Sequence, residues 1–205
     1  MTERNLIQRI LTVLLLIAFS VTVTSMADFR NGCRELQEDM LRLHILAQSD
    51  SPEDQSLKLA VRDRLLEESA SWTDTSGGKS EMMAHLAGNL REVEKIAGEV
   101  LAEQNCSLPV KAELTRCFFD TRVYGQRTVP AGWYDALRVT IGGGGGRNWW
   151  CVLYPPLCLP AAEGEAILES SLTDAEKAVL SSPSGYRIRF LTVELAENFL
   201  NWLRR

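Results

Sequence analysis

Cys151 and Cys158 stand seven positions apart, with Tyr154-Pro155-Pro156 between them and Asn148-Trp149-Trp150 directly before. A thiol becomes a nucleophile when a base takes its proton, and the chain offers two histidines, His44 and His85, for that task. One reading of these residues is therefore a thiol hydrolase, with Cys151 as nucleophile, His44 as base and Asn148 or an aspartate as the orienting group. The competing reading is structural. Cys151 is followed by Val152-Leu153, and a second cysteine across a proline bend can close a short loop, worth about 2 to 3 kcal/mol in loop entropy. The structural reading is the stronger of the two, so the expectation is a Cys151–Cys158 bridge and no catalytic residue.

Five cysteines (33, 106, 117, 151 and 158) leave at least one thiol unpaired within a monomer. With no CxxC pair and so few histidines, a structural zinc site is not expected. The acids Asp50, Glu53 and Asp54 lack the glycine that a calcium loop needs at its sharp turn, and helix capping accounts for them. Neither a metal nor a cofactor is expected.

Five consecutive glycines, Gly142 to Gly146, precede the aromatic segment. A phosphate loop would need a following Gly-Lys-Ser/Thr and a helix, and Trp149, Trp150 and Pro155 supply neither. The run reads instead as a flexible tether that frees Arg147 to Trp150 from ordinary backbone limits. Indole and phenol rings keep a polar tip that wants a partner or water. Asn148, Trp149, Trp150 and Tyr154 are therefore expected to be displayed as anchors for a partner protein. The alternative is that both indoles fold back over the edge of a sheet.

The elements that must position these residues begin with an export segment. From Ile10 to Ala27 the chain carries no charge, behind Arg4 and Arg9. Ser25-Met26-Ala27 suits cleavage of a signal peptide, and the same run is long enough to cross a bilayer as an uncleaved anchor, which would bring membrane contact. Residues 1–27 are thus assigned to export, 28–40 to a connecting segment and 41–205 to one domain. Cys33 is not read as a lipid site, because Arg30-Asn31-Gly32 puts a charge where an apolar residue belongs.

Within the domain, Leu41, Leu43 and Ile45 alternate with Arg42 and His44, predicting a strand with His44 on its exposed side. Ser51-Pro52 with Asp54 opens a helix through Leu66. A polar break at Thr73 to Ser80 precedes a second helix, striped by Met82, Leu86, Leu90, Val93, Ile96, Ala97, Val100 and Leu101. Further strands are predicted at Val110 to Thr115, at Ala136 to Ile141 and at Tyr186 to Phe190. Thr173 and Glu176 form a capping box, and a C-terminal helix runs through Leu195 to Leu203. The fold class is α+β: a small sheet of about four strands, a helical hairpin and a C-terminal helix. With 45% hydrophobic residues the 205-residue chain can bury one core, while its net charge of -5, with no Lys/Arg-rich block, excludes nucleic acid as a partner.

Two segments go beyond patterning. Arg42-Leu43-His44-Ile45-Leu46-Ala47-Gln48-Ser49-Asp50-Ser51-Pro52-Glu53-Asp54-Gln55, with Leu57-Lys58 and Val61-Arg62-Asp63 behind it, is the first. Pro130-Ala131-Gly132, Tyr134 and Ala136-Leu137, leading through the glycines to Asn148-Trp149-Trp150-Cys151-Val152-Leu153 and Pro155-Pro156-Leu157-Cys158, is the second. Together they resemble the stage II sporulation protein R family. The sequence departs from the family pattern at Gln48, Asp120, Tyr154 and Leu159. The resemblance implies a signalling protein, not an enzyme, made in the forespore and exported into the space between the two membranes. It implies as partner the mother-cell membrane aspartyl protease, stage II sporulation protein GA, which removes the pro-sequence of sigma-E. Arg42, His44, Asp50 and Arg62, in the first segment, join the aromatic anchors as expected partner-binding residues.

Overall fold

The computed structural model describes residues 3–69, 78–124, 127–155 and 172–181. It is a mixed α and β structure, as the alternating periods predict. The described residues fall into two compact units: α1 up to Leu36 with Thr121–Ala131 and the last described helix, and the body formed by Gln37–Asp120 and Gly132–Leu172.

In the first unit, helix α1 (Glu3–Asp39) is a single run of 37 residues. The expected connecting segment 28–40 is therefore helical almost throughout, since no proline interrupts it and Gly32 costs only about 1 kcal/mol in a helix. Its window of apolar residues is long and uncharged enough to cross a membrane, and Ile10, Leu11, Leu15, Leu16 and Phe19 stand exposed on it. Helix α4 (Asp174–Leu180) crosses α1 closely: a Cβ on Gly32 would lie 3.1 Å from Val179 and 3.3 Å from the Ala175 carbonyl. The Thr173–Glu176 capping box is formed as predicted, with the Thr173 amide donating to the carboxylate of the fully buried Glu176 at 2.7 Å. The hairpin of β3 (Arg122–Tyr124) and β4 (Arg127–Val129) completes this unit, with α4 against β4.

The second unit holds a four-stranded sheet. Its strands are β1 (Leu41–Leu46), β2 (Val110–Phe119), β5 (Gly132–Ile141) and β6 (Asn148–Tyr154), in the order β2-β5-β1-β6. β1 runs parallel to β5 and antiparallel to β6, and β2 closes the far side antiparallel to β5. Four strands were expected, but the fourth is the Asn148 to Tyr154 segment. The strand at Tyr186 to Phe190 and the C-terminal helix lie outside the described residues.

Helices α2 (Pro52–Glu67) and α3 (Lys79–Glu103) form the predicted hairpin and cover one face. Ser51 caps α2 by accepting from the Asp54 amide at 3.1 Å, with Pro52 in the first turn where its missing amide costs nothing. Leu41, Leu43, Ile45, Leu137, Val139 and Ile141 meet Val61, Leu65, Met82, Leu86, Val93 and Ile96 in one core, each contributing about 1.5 to 3 kcal/mol of burial. The opposite face carries the alternate residues, Arg42 and His44 among them, because successive strand residues point to opposite sides.

Candidate functional site

The glycine run is a latch, not a tether. Gly145 and Gly146 donate their amides to the carbonyls of Gln48 (3.2 Å) and Ala47 (3.0 Å), and the Gly143 amide donates to the Gln48 side chain. Gly142 and Gly144 hold positive φ of 58° and 65°, a region glycine enters without penalty. Gly146 approaches so closely that an added Cβ would lie 2.2 Å from the Ser49 carbonyl oxygen. The segment after β1 and the loop before β6 are thereby locked side by side.

Asp50 extends the lock by accepting from the Arg147 amide at 2.6 Å, with the Arg147 guanidinium 3.4 Å from the same oxygen. Lys58 is almost fully buried and donates to the Arg147 carbonyl (3.0 Å) and to Gln55 (2.6 Å). Burial, and then the neighbouring Arg147 charge, push the Lys58 amine below its usual range. Gln55 in turn donates to the Ser49 carbonyl at 2.8 Å. Asn148 and Arg147 are exposed at the end of this lock, and Trp149 lies half-buried under the guanidinium of Arg62, 5.4 Å from its ring centroid.

On the other face of the sheet Arg42 is fully buried. Its Nε donates to the Cys151 carbonyl at 3.2 Å, and its guanidinium sits 4.2 Å from the Phe119 ring centroid and 5.1 Å from that of Tyr134. A buried charge needs such partners, and the π faces with the carbonyl supply them. His44 is half-buried beside it, edge-on to Phe119 (5.8 Å) and Trp150 (5.9 Å), with Nε2 3.0 Å from the Asn148 side-chain oxygen. Desolvation lowers the His44 pKa, the hydrogen bond to Asn148 opposes this, and the charges of Arg138 and Arg42 add to the lowering.

One expectation is corrected here, and one alternative loses its geometry. Asn148, Trp149, Trp150 and Tyr154 are not a displayed loop: they are β6, paired along β1 with Asn148 opposite Leu46 and Tyr154 opposite Leu41. Strand alternation sends Trp149 to the helix side and Trp150 to the Arg42 side, so the two indoles are separated by the sheet and the fold-back alternative is the nearer one. Tyr154 packs at the edge of the helix-side core. The alternative nucleophile–base pair is not brought together. Cys151 lies opposite Leu43 and is buried in the helix-side core, whereas His44 leaves the other face, so the sheet stands between the Cys151 sulfur and the imidazole. His44 is also less exposed than its alternation predicts, because Phe119 and Trp150 flank it.

The expected residues thus form two groups: Asp50, Arg62, Asn148 and Trp149 about the latch, and Arg42, His44 and Trp150 behind it. Phe119, Tyr134, Lys58 and Arg147 were missed. Alternation from Lys111 would have put Phe119 on the Arg42 face. For Arg147, whose contribution is a main-chain carbonyl and amide, no side-chain pattern exists to be found.

Residues 37–163, which take in both groups, match the family described as stage II sporulation protein R. The chain belongs to that family. Stage II sporulation protein R of Bacillus subtilis (strain 168) is 36% identical over 143 residues, covering 69% of this chain and 64% of that relative, so the chain aligns with a little under two thirds of the relative's length. No solved structure matches. Membership places the protein in sporulation, and the apolar helix α1 fits a signal peptide or an anchor.

Proposed function

We propose that this chain is an exported signalling protein that acts by binding: made in the forespore, it crosses into the intermembrane space and activates the mother-cell aspartyl protease, stage II sporulation protein GA, which then cleaves the sigma-E precursor. The observation that carries this reading is membership of the sporulation family on a chain whose α1 suits export. The separation of Cys151 from His44 by the sheet speaks against the hydrolase alternative. The contact surface is the outer rim of the latch, where Asn148, Arg147 and Asp50 are exposed and Arg62 and Trp149 lie beside them. Arg42, His44 and Trp150 support it from the far face.

A Cys151–Cys158 bridge completes the proposal. Cys33, Cys106 and Cys117 are free thiols and Cys151 is not among them, which supports the pairing. Replacing both Cys151 and Cys158 by Ser is then expected to lower the melting temperature more than activity per folded molecule.

The test is co-expression of the full chain with the protease and the sigma precursor in a non-sporulating host. Precursor cleavage should depend on this chain and on residues 2–27. Cleavage without the chain, or undiminished cleavage when the deleted form stays in the cytoplasm, defeats the proposal.

A further inference from the structure

Among the described residues the sheet ends, on the side away from β6, in β2, whose outer edge has few partners there. β2 pairs with β5 without a bulge from Val110 to Phe119, so its residues alternately direct their main-chain groups toward β5 and away from it. The Ala112 amide marks the outward set, since it donates at 2.9 Å to the carboxylate of Glu94 on α3. Leu114, Arg116 and Phe118 share that phase, and their outward amides and carbonyls meet no protein partner among the described residues. Glu94 therefore closes the edge at Ala112, and three residues further along it pair with no strand among the described residues. An open strand edge is a template for another strand.

We propose that this edge, from Leu114 to Phe118, takes up an extended segment of a partner polypeptide as an added antiparallel strand, with an acidic residue opposite Arg116 between two apolar ones. The inference goes beyond the function proposed above and does not depend on it. Arg116 is exposed and makes no ion pair among the described residues, and its cross-strand neighbour Asp135 is held by Lys79 at 2.7 Å, so a carboxylate on the incoming strand is its natural complement. Leu114 and Phe118, on the same face, are half-buried, and Phe118 stands edge-on to Trp133 at 6.0 Å. Apolar side chains at alternate positions of the added strand would extend that row.

A second copy of the chain fits poorly. Antiparallel self-pairing centred on Arg116 sets two guanidinium groups against each other, pairing centred on Leu114 or Thr115 requires the Ala112 amide that Glu94 already occupies, and pairing centred on Cys117 sets Arg116 opposite Phe118, where no carboxylate complements it. The partner is therefore a different sequence, recognised by main-chain hydrogen bonds and by one charge.

The experiment uses the full chain in detergent micelles and a capped peptide, acetyl-Thr-Val-Thr-Glu-Thr-Val-Thr-amide, with amide hydrogen exchange read residue by residue. Without peptide, the amides of Leu114, Arg116 and Phe118 should exchange fast and those of Glu113, Thr115 and Cys117 slowly. Peptide at about 1 mM should slow the outward three, a weak affinity in keeping with a short unconstrained strand. Replacing the peptide's Glu by Lys should weaken binding about tenfold, one charge complement exchanged for a repulsion. Arg116→Pro removes an outward donor and no bond to β5, and should abolish the protection. Should that variant fail to fold, Arg116→Glu carries the test by preferring the Lys peptide. No protection at that concentration, equal binding by a folded Arg116→Pro chain, no reversal of preference in Arg116→Glu, or protection that grows with protein concentration in the absence of peptide would overturn the proposal.

Discussion

The guanidinium of Arg62, on α2, lies over the indole of Trp149, on β6, at 5.4 Å. A helix that packs through Val61 and Leu65 thus also reaches the sheet through a charge on an aromatic face. Trp149→Ala is expected to cost about 2 kcal/mol, less than for a fully buried indole, and a double-mutant cycle with Arg62→Ala should return a coupling of about 0.5 to 1 kcal/mol. Urea unfolding of the three variants measures both. A coupling of zero would reduce the pair to simple proximity.

The latch makes a discriminating prediction within one run of identical residues. Gly146→Ala should destabilise by about 1 to 3 kcal/mol, because its Cβ would collide with the Ser49 carbonyl at 2.2 Å, and overpacking of that kind must move backbone. Gly143→Ala meets only the Gln48 side-chain oxygen at 3.4 Å, and should stay within about 0.5 kcal/mol of the parent. Equal melting temperatures for the two variants would mean that the glycines act as a loose linker after all.

Lys58 ties α2 to the carbonyl of Arg147, so Lys58→Met keeps the stem and removes the donors. Leaving that carbonyl unpaired should cost about 1 to 3 kcal/mol. Exchange of the neighbouring Gly145 and Gly146 amides should quicken in the same variant. Unchanged exchange would show that Lys58 does not hold the latch shut.

His44 gives the molecule a pH dependence of definite sign. Its pKa is lowered in the folded state, chiefly by desolvation, so below the unfolded value of about 6.5 the unfolded chain binds the extra proton first. The contribution of His44 is fully present above that value and is lost as pH falls through it toward the folded pKa. Stability measured from pH 7.5 down to 5 should fall less steeply in His44→Gln than in the parent. Parallel curves would refute the assignment.

Much of this fold was legible because its periods are clean. The alternation through Leu41, Leu43 and Ile45, the Ser51 cap and the stripe from Met82 to Leu101 each have one physical reading, and each became the predicted element. The aromatic segment was misread because Asn148 to Tyr154 lacks polar alternation: Trp149, Cys151 and Leu153 alternate with Trp150 and Val152, so both phases look apolar when both faces of a strand are partly covered. The glycines misled for a related reason. Conformational freedom and close approach call for the same residue, and only the carbonyls of Ala47, Gln48 and Ser49, far away in sequence and adjacent in space, distinguish the two. Arg42 was legible as a residue of interest, yet its burial against Phe119 and Tyr134 depends on pairings that no local pattern encodes.

The position of β1 at the heart of the sheet bears on the order in which the chain can acquire its structure. β1 comes first among the described strands, yet both of its neighbours, β5 and β6, come last among them, and Arg42 meets the Cys151 carbonyl across 109 residues of sequence. Loops of that span close late and slowly. A chain emerging N-terminus first would present β1, α2 and α3 with no partner for the strand until synthesis has passed Ile141, and with only β5 beside it until Tyr154. Under the export proposed above, that delay leaves the chain without its closed sheet while it passes a translocation channel, and the sheet closes on the far side.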